Sequence, residues 1–128
     1  MKIESSIIRL NKEIDEVYNT LCKASTYEKL MPREASFKMA DEDHFSFKLS
    51  GMPVILLKMK SKLPNKQIVL ASDGGSVHFE LQANFELIEN NTKVQLVFKG
   101  ELNPMMQMIV KKPLTQFLES LSENLKNL

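Results

Sequence analysis

Hydrophobic and polar positions change period twice along the chain. From Ala35 to Leu102 they alternate with a period of two, the mark of half-buried strands. On either side the spacing is helical. Lys2 to Arg9 reads as a first strand, with β-branched Ile3, Ile7 and Ile8. Asn11 can cap a helix whose apolar stripe is Ile14, Val17, Tyr18, Leu21 and Cys22. Ser25 or Thr26 can cap a second short helix, Tyr27 to Met31, which Pro32 ends.

Within the alternating stretch, one face collects Phe37 and Met39, then Phe45, Phe47 and Leu49, then Ile55, Leu57, Met59, Ser61 and Leu63. Gln67 to Asp73 is a strand with apolar residues on both parities, so its inward face stays open. Val77, Phe79, Leu81, Ala83, Phe85 and Leu87 follow, and Val94, Leu96, Phe98, Gly100 and Leu102 complete the face. Turns are expected at Asp41 to Asp43, Gly51-Met52-Pro53, Pro64-Asn65, Asp73-Gly74-Gly75-Ser76 and Asn90-Asn91. Asn103-Pro104 then opens a long amphipathic helix running nearly to Leu128, because Asn caps free N–H groups and Pro suits the first helical position. Pro113 lies inside it and predicts a kink.

The order is therefore strand, two short helices, six antiparallel strands and a long helix, an α+β arrangement expected to form one domain over 1–128. Short turns make the strands run up and down, so every second turn lies at the same end. If the sheet curls around the last helix, Gly51, Met52, Gly74 and Gly75 rim one mouth of the interior. The candidate pocket residues are Phe45, Phe47, Leu57, Met59, Phe79, Leu81, Phe85 and Phe98 from the strands, and Met105, Met106, Ile109, Val110 and Phe117 from the helix. Gly100 and Ala83 on the same face leave room for a ligand. The competing reading is that these side chains fill an ordinary packed core, in which voids are few.

Charge narrows the partners. Lys and Arg number 17 against 16 Asp and Glu, a net charge of +1, which gives no global attraction to nucleic acid. The single cysteine, Cys22, excludes an internal disulfide, and it sits in an apolar stripe. No signal-peptide core follows Met1, and the longest strictly aliphatic run is Val54 to Leu57, so the cytoplasm is the expected compartment.

Catalytic chemistry finds little footing. Ser5, Ser61 and Ser72 are the plausible inner hydroxyls, none with an evident base beside it. His44 and His78 fall on the outward parity of their strands. No residue is singled out as catalytic, and neither a metal site nor a cofactor is expected. Phe45 and Phe47 alternate as base-stacking platforms do, but they face the interior without a basic groove, so no nucleic-acid partner is expected.

The order of elements resembles the START/Bet v 1-like superfamily, the helix-grip or SRPBCC fold, over nearly the whole chain. The resemblance rests on Ile3 to Leu21, Leu30-Met31-Pro32, Gly51-Met52-Pro53 and the closing segment from Asn103-Pro104-Met105-Met106 to Phe117-Leu118. Within the superfamily it points to the small bacterial polyketide cyclase/CoxG-like branch. The resemblance implies a curved antiparallel seven-stranded sheet gripping the long C-terminal helix, with a hydrophobic cavity between them. Members bind lipids, sterols, quinones or polyketides; some are cyclases and others chaperone partners. The function expected here is binding or transport of a small hydrophobic ligand, such as a lipid, quinone or isoprenoid-like molecule, without catalysis. Two alternatives stand beside it: a protein-interaction module with a packed interior, which could include a homodimer, and an enzyme of the cyclase or dehydratase type. The enzyme would need a polar pair turned inward by a β-bulge.

Overall fold

The computed structural model describes residues 1–49, 52, 54–74 and 78–128. Its elements are β1 (Lys2–Glu4), β2 (Ile8–Leu10), α1 (Ile14–Leu21), α2 (Ala24–Leu30), β3 (Ser36–Asp41), β4 (His44–Lys48), β5 (Ile55–Leu63), β6 (Gln67–Ser72), β7 (Phe79–Ile88), β8 (Asn91–Gly100) and α3 (Pro104–Leu125). The strands form one curved antiparallel sheet in the order β1-β8-β7-β6-β5-β4-β3, with β2 also on β8.

The sheet has eight strands where seven were expected, because the first strand is split. Ile3 pairs with Phe98 and Ile8 with Val94, so one extra residue lies between them. Ser5 carries this bulge. Its N–H donates to the Leu96 carbonyl at 2.8 Å, and its hydroxyl accepts from the Leu96 N–H at 3.0 Å. The offset pushes Ile7 outward, where it is half exposed, and returns Ile8 and Leu10 to the core.

The helix starts also move. α1 begins three residues after Asn11, with Glu13 at its N-cap and no side-chain cap bond. α2 begins at Ala24 rather than Tyr27, which places Ser25 and Thr26 in its first turn. Thr26 Oγ1 instead donates to the Thr20 carbonyl, tying α2 to the end of α1. Pro32 still ends it, with Met31 extended as a residue before proline must be. The last hairpin turns at Glu89-Asn90, one residue early, and it is Glu89 that takes a positive φ of 56°.

β6 is settled by its partners. Ile68 pairs with Ala83 and Leu70 with Leu81, which places both on the concave face. Val69 and Ala71 turn to the convex face yet stay buried beside Gln82 and Val97. In β5 a second bulge falls between Met59 and Ser61. Beyond it Ser61 pairs with Val69, and so turns to the convex face with Leu63 following two residues on.

α3 runs 22 residues, about 33 Å, through Pro113. Asn103 caps it as expected, its side chain accepting from the Met106 N–H at 2.9 Å. The helix lies against the concave face, and its second half is pinned there. Leu118, Leu121 and Leu125 are almost wholly buried, Phe117 stacks on Phe47 at 4.6 Å, and Asn124 donates to the Leu30 carbonyl of α2 at 2.8 Å.

Candidate ligand cavity

The first half of α3 does not close down on the sheet. A cavity of about 310 Å³ remains between them. Its walls on the sheet side include Phe47, Leu57, Phe79, Leu81 and Phe98. On the helix side they include Met106, Val110 and Phe117. These are eight of the thirteen residues expected to line a pocket. Met52 and Gly74 also border the cavity. Gly51 and Gly75, expected beside them at the mouth, lie outside the described residues.

The other five expected pocket residues sit elsewhere. Phe45 is stacked between Tyr27 at 5.2 Å and Phe37 at 5.3 Å, inside the packed end of the core. Phe85 meets the edge of Tyr18 from α1 at 5.8 Å. Met59 packs, half buried, against the same core. Met105 and Ile109 each precede a lining residue by one position, and one residue is 100° of helix. They therefore emerge on the solvent side, 72% and 55% exposed.

Sequence reasoning passed over Ile55, Leu102, Leu114 and Leu118 as pocket residues, and Val54 and Leu56 as its border. Four of the six carried a signal: Ile55 and Leu102 share the inward parity, and Leu114 and Leu118 belong to the helical stripe. Nor does Gly100 leave a void. A Cβ there would come within 3.1 Å of the Phe98 ring and 3.2 Å of Phe79 Cβ, so its missing side chain makes room for the Phe79–Phe98 stack.

Among the described residues every lining side chain is apolar and none is titratable. The hydroxyls considered for chemistry are engaged in the backbone. Ser5 holds the bulge, and Ser72 Oγ accepts from the Phe79 N–H at 3.2 Å. Ser61 is on the convex face. The β5 bulge does flip a strand, but it turns Ser61 away from the interior rather than a base toward it. His78 is exposed, and His44 Nδ1 lies 2.8 Å from Asp41 Oδ1 in the β3–β4 turn. That hydrogen bond raises the His44 pKa above the ordinary imidazole value and lowers that of Asp41. Burial pushes the Tyr27 phenol well above its ordinary range, and its hydroxyl donates to the Leu21 carbonyl at 2.8 Å. Cys22 is half buried beside α1. Among the described residues no group of three or more His, Cys, Asp or Glu could hold a metal ion, and no helix is long and apolar enough to cross a membrane.

Comparison with known proteins gives a consistent answer about architecture. No family model and no curated protein matches the chain. Solved structures do. The Aha1 dimer of Colwellia psychrerythraea, a solution structure, is 20% identical, with 98% of this chain and 96% of that one covered and a TM-score of 0.65. A Chromobacterium violaceum protein is 15% identical over 99% of this chain and 96% of its own, with a TM-score of 0.68. A Mycobacterium smegmatis protein reaches a TM-score of 0.71 at 7% identity, covering 94% and 86%. The chain has the helix-grip fold. At these identities the likeness extends to the fold and no further. Small bacterial proteins share the grip of a curved sheet on one long helix.

Proposed function

We propose that this helix-grip domain binds a small hydrophobic molecule in the cavity between the sheet and α3, and does no chemistry on it. The observation that carries this reading is that every described side chain in the wall is apolar. About 310 Å³ is at the small end of ligand pockets, which run from about 300 to 1,000 Å³. An apolar enclosure of that kind favours a molecule that leaves water without needing a polar partner inside. An alkyl, isoprenoid or quinone-type body fits this chemistry, with any polar end left at the Met52–Gly74 border. A general acid or base would have to reach in from outside the lining, which speaks against the cyclase alternative.

The test is native mass spectrometry of gently purified protein, followed by solvent extraction. A discrete added mass that extracts as an apolar compound is the expected result. The Val110→Trp variant, which fills the cavity from the helix side, should lose about tenfold or more of that uptake. An unchanged apo mass after exposure to lipid and quinone mixtures would remove the proposal and favour the packed interaction module.

A further inference from the structure

We infer that the open end of the cavity is a docking surface for an anionic lipid bilayer, with the first three turns of α3 lying in the headgroup boundary. The purpose given to it, delivery of an apolar cargo without passage through water, rests on the cavity reading above. The surface itself rests on separate observations.

Nine large hydrophobic residues are exposed among the described residues, and five of them gather at this end. Val54 and Leu56 border the cavity, 58% and 51% exposed. Met105, Met108 and Ile109 stand on α3, 72%, 84% and 55% exposed, on the turns whose inner residues Met106 and Val110 line it. Apolar side chains held out on both sides of a helix mark an unfinished contact.

The charge around the patch says what completes it. Met105 stands three and four residues before Met108 and Ile109, and these stand four and three before Lys112, with Lys111 alongside, so the apolar stripe ends in two lysines. Between Glu101 and Glu119 the chain has no carboxylate side chain. Beyond Phe79, which lines the cavity, a convex groove holds Lys2, Lys58, Lys60 and Lys99 beside Glu80 and Glu101, with Lys60 paired to Glu80, so lysines outnumber carboxylates there. The acidic turn Asp41-Glu42-Asp43 belongs to the other set of turns, and Asp73 is a carboxylate beside Gly74 at the cavity border. An apolar stripe flanked by lysines suits the boundary between acyl chains and anionic headgroups, where each element meets its own solvent. A second copy of the chain suits it less. Across a two-fold axis through the patch, Lys111 and Lys112 of both copies would approach one another with no carboxylate on that stretch to pair them.

The experiment is co-sedimentation with vesicles of equal parts phosphatidylcholine and phosphatidylglycerol, beside vesicles of phosphatidylcholine alone. The chain should bind the anionic vesicles, more weakly as salt rises, and the neutral ones less. The triple variant Met105→Ser, Met108→Ser, Ile109→Ser should bind about tenfold less, and so should Lys111→Glu with Lys112→Glu. All five side chains are exposed, so circular dichroism should show both variants folded. Equal binding by the triple variant, or no binding by the wild type, would overturn the inference. So would a dimer in analytical ultracentrifugation that the triple variant abolishes while vesicle binding is absent. The two proposals separate cleanly. Val110→Trp should keep vesicle binding while losing cargo, whereas the triple variant should keep cargo uptake from detergent micelles.

Discussion

The two ends of this molecule are built from the same helix and the same strands, yet one is closed and the other is not. At the closed end α3 buries Leu121 and Leu125, and the chain there is tied outward: Asn124 to Leu30, and Lys12 to the Leu128 carbonyl. Tyr18 and Tyr27 bring the two short helices onto Phe85 and Phe45. At the open end only Val110 among the residues of the first two turns of α3 is fully buried, and an apolar space remains beneath it. Under the proposal made above, the packed half carries more of the stability and the other half is left free to admit a guest. Stability is commonly uneven in this way, and the parts that bind tend to be the weaker ones.

The largest effect should come from cutting into the closed end. Leu121 is 1% exposed, so Leu121→Ala should lower the unfolding free energy by about 2–5 kcal/mol. Met106→Ala at the open end removes a half-buried side chain that already borders empty space, and should cost less than about half as much. Urea denaturation of both variants measures the contrast. Equal losses would mean that the open end is packed as tightly as the closed one.

How legible this contrast was depends on which rule governs each element. The strands and α3 announced themselves, because alternation and helical spacing persist over many residues. Asn103-Pro104 marked the start of α3 through cap chemistry that acts locally. The β-bulges at Ser5 and in β5 were not legible. Each needs one extra residue, and nothing in Ser5-Ser6-Ile7 or Lys60-Ser61 differs in kind from ordinary strand residues. The β5 bulge overturns the inward parity of Ser61 and Leu63, both of which turn to the convex face. β6 defeated parity for another reason: Val69 and Ala71 are buried on the convex face as well, so both faces look apolar. The cavity sits between these cases. Its walls follow from parity and from the α3 stripe. Assigning Met105 and Ile109 to it required knowing the phase of the helix to within one residue, which a broad stripe does not give.

A smaller effect is expected at a turn of the closed end. Glu89 has a φ of 56°, a left-handed conformation that strains a side-chain-bearing residue. Glu89→Gly should therefore raise stability, by up to about 1 kcal/mol after the entropy that glycine adds to the unfolded chain. Thermal unfolding at neutral pH reads the change. A loss instead of a gain would show that the Glu89 side chain holds the hairpin through contacts that outweigh its strain, and the closed end would owe part of its order to this turn.

The smallest effect depends on pH and concerns the β3–β4 edge of the closed end. The hydrogen bond to Asp41 raises the His44 pKa from its ordinary 6.5, and the hydrogen bond from His44 lowers Asp41 from its ordinary 3.8. A raised histidine contributes stability that is full below its unfolded value and is lost as pH rises through the folded value. A lowered aspartate contributes stability that is full above its unfolded value and is lost as pH falls through the folded one. The pair therefore acts fully between about pH 4 and pH 6.5, and its contribution is lost as pH rises through the raised His44 value or falls through the lowered Asp41 value. Both groups are well exposed, so the energy is small, and the sharper readout is the ring's own titration by NMR. His44 should titrate above 6.5 in the wild type and fall back toward that value in Asp41→Asn. If it titrates at 6.5 or below in both, the turn is not held by this pair in solution. The closed end would then end at its buried helices, with an edge as loosely held as the open one.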